Sequence, residues 1–271
     1  MKVDKDLLKL YSFYSVSGTK GEKDICNWIA ERLKELGVSF ERKGNTLYSF
    51  NDDSEILLSA HLDQVSTNGP AKHFYLEDNK TIVGYNEQYQ RTSLGADDKN
   101  GVWIILKCLE RGCKIDFIIS ESEEIGCKGI DKMKDELKKN AYKYSCCLVL
   151  DRRNSNEILE SGRGGKYCKT LAYCLKNFLG GTYKVTSGSI SDTQTICKYI
   201  ESVNMSVAYE GAHTSLETTD YKELKRILED VIDVIADFVH YPTDPKEYIS
   251  TINTTGYSRY YGRGGFYDEF I

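Results

Sequence analysis

Apolar residues recur along this chain with two different periods, and the switches between them mark out its elements. In residues 22–36, Ile25, Trp28, Ile29, Leu33 and Leu36 are three and four apart, and Gly37 follows at once. This spacing predicts an amphipathic helix stopped by a C-terminal glycine. Residues 38–42 and 46–50 carry β-type side chains around Gly44-Asn45 and are expected to pair as a hairpin. Four compact apolar runs come next: Ile56-Leu57-Leu58-Ser59-Ala60, residues 115–119, Cys147-Leu148-Val149-Leu150 and residues 205–208. They are too short for helices and read as buried strands. Helical spacing returns in residues 98–111 (Val102, Trp103, Ile105, Leu106, Leu109), in 166–178, and in 220–240 through Leu224, Ile227, Leu228, Val231, Ile235 and Phe238.

Strands alternating with helices predict an α/β fold: three layers, a mixed and mostly parallel sheet, and helices on both faces. Sheets of this kind gather ligands at the carboxyl ends of their strands. No repeat of domain size is present, and 271 residues suit one large unit. We expect a single domain over residues 1–245. Beyond Pro242 and Pro245 the periodicity dissolves into residues 246–271, a tail rich in Tyr, Gly and Arg that either moves freely or straps onto the body.

Composition narrows the functional classes. With 28% charged and 40% hydrophobic residues the chain reads as globular, and no apolar run approaches the length of a bilayer span. The charged N-terminus, Met1-Lys2-Val3-Asp4-Lys5-Asp6, precedes no apolar stretch of signal-peptide length, so a cytoplasmic location is expected. Nine cysteines, scattered without paired spacing except Cys146-Cys147, read as reduced thiols packed in apolar faces rather than as a disulfide framework. A net charge of −5 argues against a protein built to hold nucleic acid.

The chemistry-bearing residues fall where strands end or helices begin. His61 closes the run 56–60, with Asp63 two positions on. Asp97 and Asp98 open the helix at 98–111. Glu123 and Glu124 follow the run 115–119, Asp151 follows Leu150 directly, and His213 stands ahead of the last helix. Imidazoles and carboxylates are zinc ligands, and a metal pair supplies a water nucleophile at neutral pH. Two His and three carboxylates, His61, Asp97, Glu124, Asp151 and His213, suffice for two ions. Asp63 is placed to fix the His61 tautomer, and Glu123 to handle the proton of the attacking water.

Each motif also has a plain structural reading. His61 could be bonded only to Asp63, and either Asp97 or Asp98 could be an N-cap. Glu123 and Glu124 could belong to an exposed acidic loop, as could Glu121. Asp151 could be paired with Arg152 or Arg153, because a carboxylate so close to the sheet interior needs a partner. Glu217 reads as a support for His213, whereas His73 and His240 have no comparable context and read as surface or helix-end residues. Asp192, in Ser189-Ile190-Ser191-Asp192-Thr193, reads either as part of a Ser-Asp segment ahead of the last His or, at least equally, as a helix cap. Arg163, within Ser161-Gly162-Arg163-Gly164-Gly165, could bind a carboxylate or be ordinary loop.

Taken in order, Ala60-His61-Leu62-Asp63, Leu94-Gly95-Ala96-Asp97-Asp98-Lys99 with Gly101, and Ser122-Glu123-Glu124-Ile125-Gly126, followed by Asp151 and His213, resemble the di-zinc exopeptidase superfamily. That superfamily includes peptidase T, glutamate carboxypeptidase-like enzymes and lidless aminopeptidases, and the motifs echo peptidase T most. The resemblance runs from about residue 15 to residue 240. It implies His61, Asp97, Glu124, Asp151 and His213 as ligands of two divalent ions, zinc first with manganese or cobalt as substitutes. It also implies Asp97 bridging, Asp63 orienting His61, and Glu123 as general base. Peptidase T-like enzymes insert a second domain after the Asp151 position. Only about sixty residues separate Asp151 from His213 here, too few for that insert, so a bare, lidless catalytic domain is expected.

The activity this implies is metal-dependent hydrolysis of short peptides from one end, of the amino- or carboxypeptidase type. The same ions and base could instead remove an acyl group from a small N-acyl amine or amino acid. Single-zinc glutaminyl cyclases share the ligands but line their pocket with Trp, and Trp28 and Trp103 both sit in covering helices. A non-catalytic binding module would have to use its Arg-Gly-Gly elements at Arg163 and Arg263, which are far fewer than RNA-binding segments carry.

Overall fold

The computed structural model describes residues 2–51, 54–160, 167–188 and 190–240. The chain opens with helices α1 (Lys5–Tyr11) and α2 (Lys20–Glu35), then strands β1 (Glu41–Lys43), β2 (Thr46–Ser49) and β3 (Ile56–His61). Strands β4 (His73–Glu77), β5 (Thr81–Tyr85) and β6 (Arg91–Thr92) precede helix α3 (Ala96–Glu110) and strand β7 (Asp116–Ser120). Helices α4 (Lys128–Lys132) and α5 (Lys134–Asn140) lead to β8 (Cys146–Arg152), β9 (Glu157–Leu159), helix α6 (Tyr167–Phe178) and β10 (Lys184–Thr186). Helix α7 (Thr193–Ile196), strands β11 (Ser202–Ser206), β12 (Tyr209–Glu210) and β13 (Thr218–Asp220), and helix α8 (Tyr221–Asp237) complete it.

Eight strands form the main sheet in the order β1-β2-β7-β3-β8-β11-β9-β10. Its centre is parallel, β7–β3, β3–β8 and β8–β11, as is β9–β10, while β1–β2, β2–β7 and β11–β9 are antiparallel. The predicted hairpin is present, with Lys43 opposite Thr46 and Gly44 turning at φ +68°. The period-2 alternation of the central strands sorts their side chains into two cores. Leu58, Phe117, Ile119, Leu148 and Leu150 face α1, α2, α3, α6 and α8. Leu57, Ile118, Cys147 and Val149 face Ile130, Met133, Leu137 and Ile196 of α4, α5 and α7. Helices thus cover both faces, and each fully buried large aliphatic contributes roughly 1.5–3 kcal/mol to holding them there.

Helix α3 carries the start of one site motif and lies unusually close to the sheet. A Cβ on Gly101 would come 2.1 Å from the Leu150 carbonyl, so only glycine lets the helix seat on β8. Within the described residues, the segment between Asp151 and His213 holds only elements of the main sheet, the helices on it, and β12. No inserted domain is found among them.

A second sheet is not legible in the apolar pattern. It runs β12-β13-β5-β4, with β6 paired to β5, and it is antiparallel throughout. Strand β4 is half-exposed along its length and holds no compact apolar run, which removes the signal that exposed the main-sheet strands. The strand expected at 205–208 is displaced to Ser202–Ser206, because Ala208 adopts φ +62° and turns the chain toward β12. Residues 246–271 and Arg163 lie outside the described residues. No helix of the described residues is long and apolar enough to cross a membrane.

Candidate metal centre

The parallel register of β7, β3 and β8 brings the candidate residues together. Ser59 pairs with Val149, so two residues further along each strand His61 and Asp151 emerge side by side. His61 also pairs with Ser120 at the end of β7, which puts Glu123 and Glu124 in the loop immediately beyond. Asp97 arrives from the start of α3, where Gly95 at φ +61° turns the chain and Asp97 and Asp98 are not yet helical. The Asp97–Asp98 peptide is cis. His213, at φ +64°, comes from the loop between β12 and β13.

Two overlapping groups result. His61, Asp97 and Asp151 each offer a donor atom within 4.8 Å of the others, and so do Asp97, Glu124 and His213. Asp97 belongs to both: Oδ1 is 3.2 Å from His61 Nε2 and Oδ2 is 3.3 Å from His213 Nε2. Asp151 Oδ1 lies 3.6 Å from His61 Nε2, and Glu124 Oε1 lies 2.9 Å from His213 Nε2. Glu123 reaches the same point, with Oε2 4.0 Å from His61 Nε2. Six of the seven residues singled out from the sequence therefore surround one spot, and Asp63 stands behind His61.

Supporting contacts fix these positions. Asp63 Oδ1 faces His61 Nδ1 at 3.4 Å, a charge contact rather than an aligned hydrogen bond. Asp63 is itself held by the Ser17 hydroxyl at 2.5 Å and by the backbone N–H groups of Glu123 and Glu124 at 2.9 and 3.2 Å. One buried carboxylate thus joins the β3 end to the acidic loop. Asp98 accepts from the backbone of His61 and Gly101, which gives it the helix-start role and leaves Asp97 free for the centre. Glu217 accepts from the Ser93 hydroxyl and the N–H groups of Ala96 and Asp97, so its support goes to the Asp97 turn rather than to His213.

Several plain readings fail on geometry. Arg152 pairs with Glu157 at 2.7 Å, and neither it nor Arg153 bonds the Asp151 carboxylate. Asp192 sits at the N-cap of α7 but its side chain makes no cap hydrogen bond; it accepts from Ser120 instead. Glu121 is buried, pairs with Lys132 and accepts from the Asn45 N–H, so it anchors the hairpin turn rather than standing in solvent. His240 is buried against Glu201, beyond the end of α8, and His73 stacks on Tyr89 in β4. Lys99 stands in the Asp97 motif, but the sequence assigns it no role. Its buried ammonium donates to the carbonyls of Phe13 and Leu94 and to Gln64 Oε1, and burial lowers its pKa to about 7.

Five buried or nearly buried carboxylates, Asp63, Asp97, Glu123, Glu124 and Asp151, face two imidazoles. The charges do not balance. Burial pushes the Asp151 carboxyl well above its usual range, with Asp97 beside it adding to the effect. Burial also lifts Glu123 to about 7. Burial disfavours a charged His61 ring, but Asp151, Asp63 and Asp97 outweigh it and hold that pKa well up. His213 rises to about 10 through Asp97 and Glu124. Such an excess of buried negative charge is costly unless cations offset it, and the donors are those divalent zinc accepts. The residues present therefore fit a metal pair.

Above them opens a cavity of about 580 Å³, lined by Asp97, Glu123, Glu124, Asp151, Arg153, Tyr209, Glu210 and His213 among others. Neither tryptophan lines it: Trp28 packs on Phe13 and Trp103 donates to Asp4.

No family model matches the chain, and no curated protein matches it. Solved structures do. The aminopeptidase PepT of Bacillus cereus aligns at 16% identity over 86% of this chain and 97% of its own, with a TM-score of 0.70. A tripeptidase of Staphylococcus aureus aligns at 17% identity over 84% of this chain and 95% of its own, with a TM-score of 0.68. A Zn-dependent exopeptidase of Parabacteroides distasonis aligns at 17% identity, 84% and 94% coverage, with a TM-score of 0.60. At these identities the likeness is one of fold: the chain shares its architecture with these three solved structures.

Proposed function

We propose that this chain is a metal-dependent hydrolase of peptide bonds, an exopeptidase acting on short peptides. The carrying observation is that His61, Asp97 and Asp151 on one side, and Asp97, Glu124 and His213 on the other, meet around one shared carboxylate beneath an open cavity. His61, Asp97 and Asp151 would hold one ion and Asp97, Glu124 and His213 the second, with zinc favoured and manganese or cobalt accepted by the same donors. Bound there, the ions would supply Lewis acidity and a water nucleophile at neutral pH.

The chain's own residues do the rest. Glu123 accepts the proton of the attacking water and delivers it to the leaving nitrogen as the C–N bond breaks. Asp63 keeps the His61 ring oriented through Oδ1, which also accepts from the Glu123 N–H, while Oδ2 accepts from the Glu124 N–H and so holds the acidic loop in place. The cavity volume lies within the range of small-ligand sites. The solved structures of this fold carry the names aminopeptidase, tripeptidase and exopeptidase, which supports short peptides as substrates. The absence of tryptophan from the cavity lining weighs against glutaminyl cyclisation.

The test is a panel of aminoacyl, peptidyl and N-acyl substrates offered to protein purified without chelator. We expect peptide cleavage from one end, abolished by chelator and restored by zinc. Glu123→Gln should lose about 10²–10⁴-fold in kcat while keeping its metal. Cleavage of N-acyl compounds alone would replace the peptidase reading with deacylation, and an active Glu123→Gln protein would refute the base.

A further inference from the structure

Beside Glu123 stand two donors, Cys127 and Asp192, that hydrolysis does not use. Cys127 donates its thiol to Glu123 Oε1 at 3.3 Å. Asp192 approaches from the turn before α7 and is 2% exposed. Its Oδ2 accepts from the Ser120 hydroxyl at 2.5 Å, while Oδ1 is buried with no hydrogen-bond partner. Glu123, Cys127 and Asp192 each place a ligand atom within 4.8 Å of the others. An unpartnered buried carboxylate oxygen is costly, and a cation would relieve that cost. The donor set is also selective: a thiolate suits zinc and other thiophilic ions, whereas magnesium and calcium take oxygen ligands.

We propose that Glu123, Cys127 and Asp192 form a third, inhibitory site for a thiophilic divalent cation such as zinc. Occupation replaces the S–H bond of Cys127 with a metal–sulfur bond and releases the proton to solvent. It also ties up the Glu123 carboxylate that the hydrolytic reading needs free. The inhibitory effect rests on that reading; the site does not.

Cobalt titration of the full chain tests the site directly, through the near-ultraviolet charge-transfer absorption of a thiolate–cobalt bond. The band should grow in only after the first two equivalents are bound. Cys127→Ser should lack it while still binding two ions, and Asp192→Asn should weaken the third binding step at least tenfold. Peptide hydrolysis under rising zinc should show inhibition beyond two equivalents, with Cys127→Ser keeping basal activity and needing at least tenfold more zinc. A third equivalent with no Cys127-dependent band overturns the site, whether or not any peptide is cleaved. A Cys127-dependent band that leaves peptide hydrolysis untouched overturns the inhibition and the role of Glu123 as base.

Discussion

At the scale of single residues, the centre depends on side chains that hold other side chains. Glu217 is fully within the protein, and its two oxygens fix Ser93, Ala96 and Asp97 at 2.6, 3.0 and 3.2 Å. Those bonds position the carboxylate that both candidate ion sites share. Removing such an outer support commonly costs 10–100-fold in metal affinity. Glu217→Ala should therefore lose zinc to a competing chelator at 10–100-fold lower chelator concentration while staying folded; unchanged zinc affinity would show that the Asp97 turn holds itself. His61, Asp97, Glu123, Glu124, Asp151 and His213 were legible in the sequence because each follows an apolar run or opens a helix. Asp192 and Cys127 were not, since a lone Asp before a four-residue helix reads as a cap and a lone Cys as a small hydrophobe.

At the scale of elements, helix α3 presents Asp97 and Asp98, and α1 braces it from outside. Asp4, the N-cap of α1, accepts from the Asp6 and Leu7 N–H groups, from Trp103 Nε1 at 3.0 Å and, across an ion pair, from Lys107 at 3.0 Å. Burial pushes its carboxyl up, but the bonds from Trp103 and Lys107 win and hold it below 3.8. A carboxyl depressed in the folded state stabilises above its unfolded pKa and loses that contribution as pH falls through the folded one. Asp4→Asn retains the cap but not the charge. It should lower the denaturation midpoint near neutral pH and converge with the wild type as pH drops below about 4; a gap that persists there would assign the effect to packing. The central strands and long helices were readable because burial on both faces writes continuous apolar runs and three-four spacing. The second sheet was not, because half-exposed strands such as β4 carry Tyr75 and Glu77 where a run would be needed.

At the scale of the whole molecule, β3, β7 and β8 of the parallel sheet bring His61, Glu123, Glu124 and Asp151 to one edge, where the start of α3 adds Asp97 and the β12–β13 loop adds His213. The fold is shared with the solved aminopeptidase PepT, with no inserted domain among the described residues. The length between Asp151 and His213 was enough to read that from the sequence. What the sequence left open was whether residues spread over 150 positions converge, and the two groups around Asp97 answer it in geometry. The most direct measurement is elemental analysis of protein purified without chelator, with the wild type beside Asp97→Ala. Two zinc ions per wild-type chain, falling below one in Asp97→Ala together with peptide hydrolysis, is the result the shared carboxylate predicts. A wild type that takes up no metal, or an Asp97→Ala chain that keeps two ions and full activity, would contradict it.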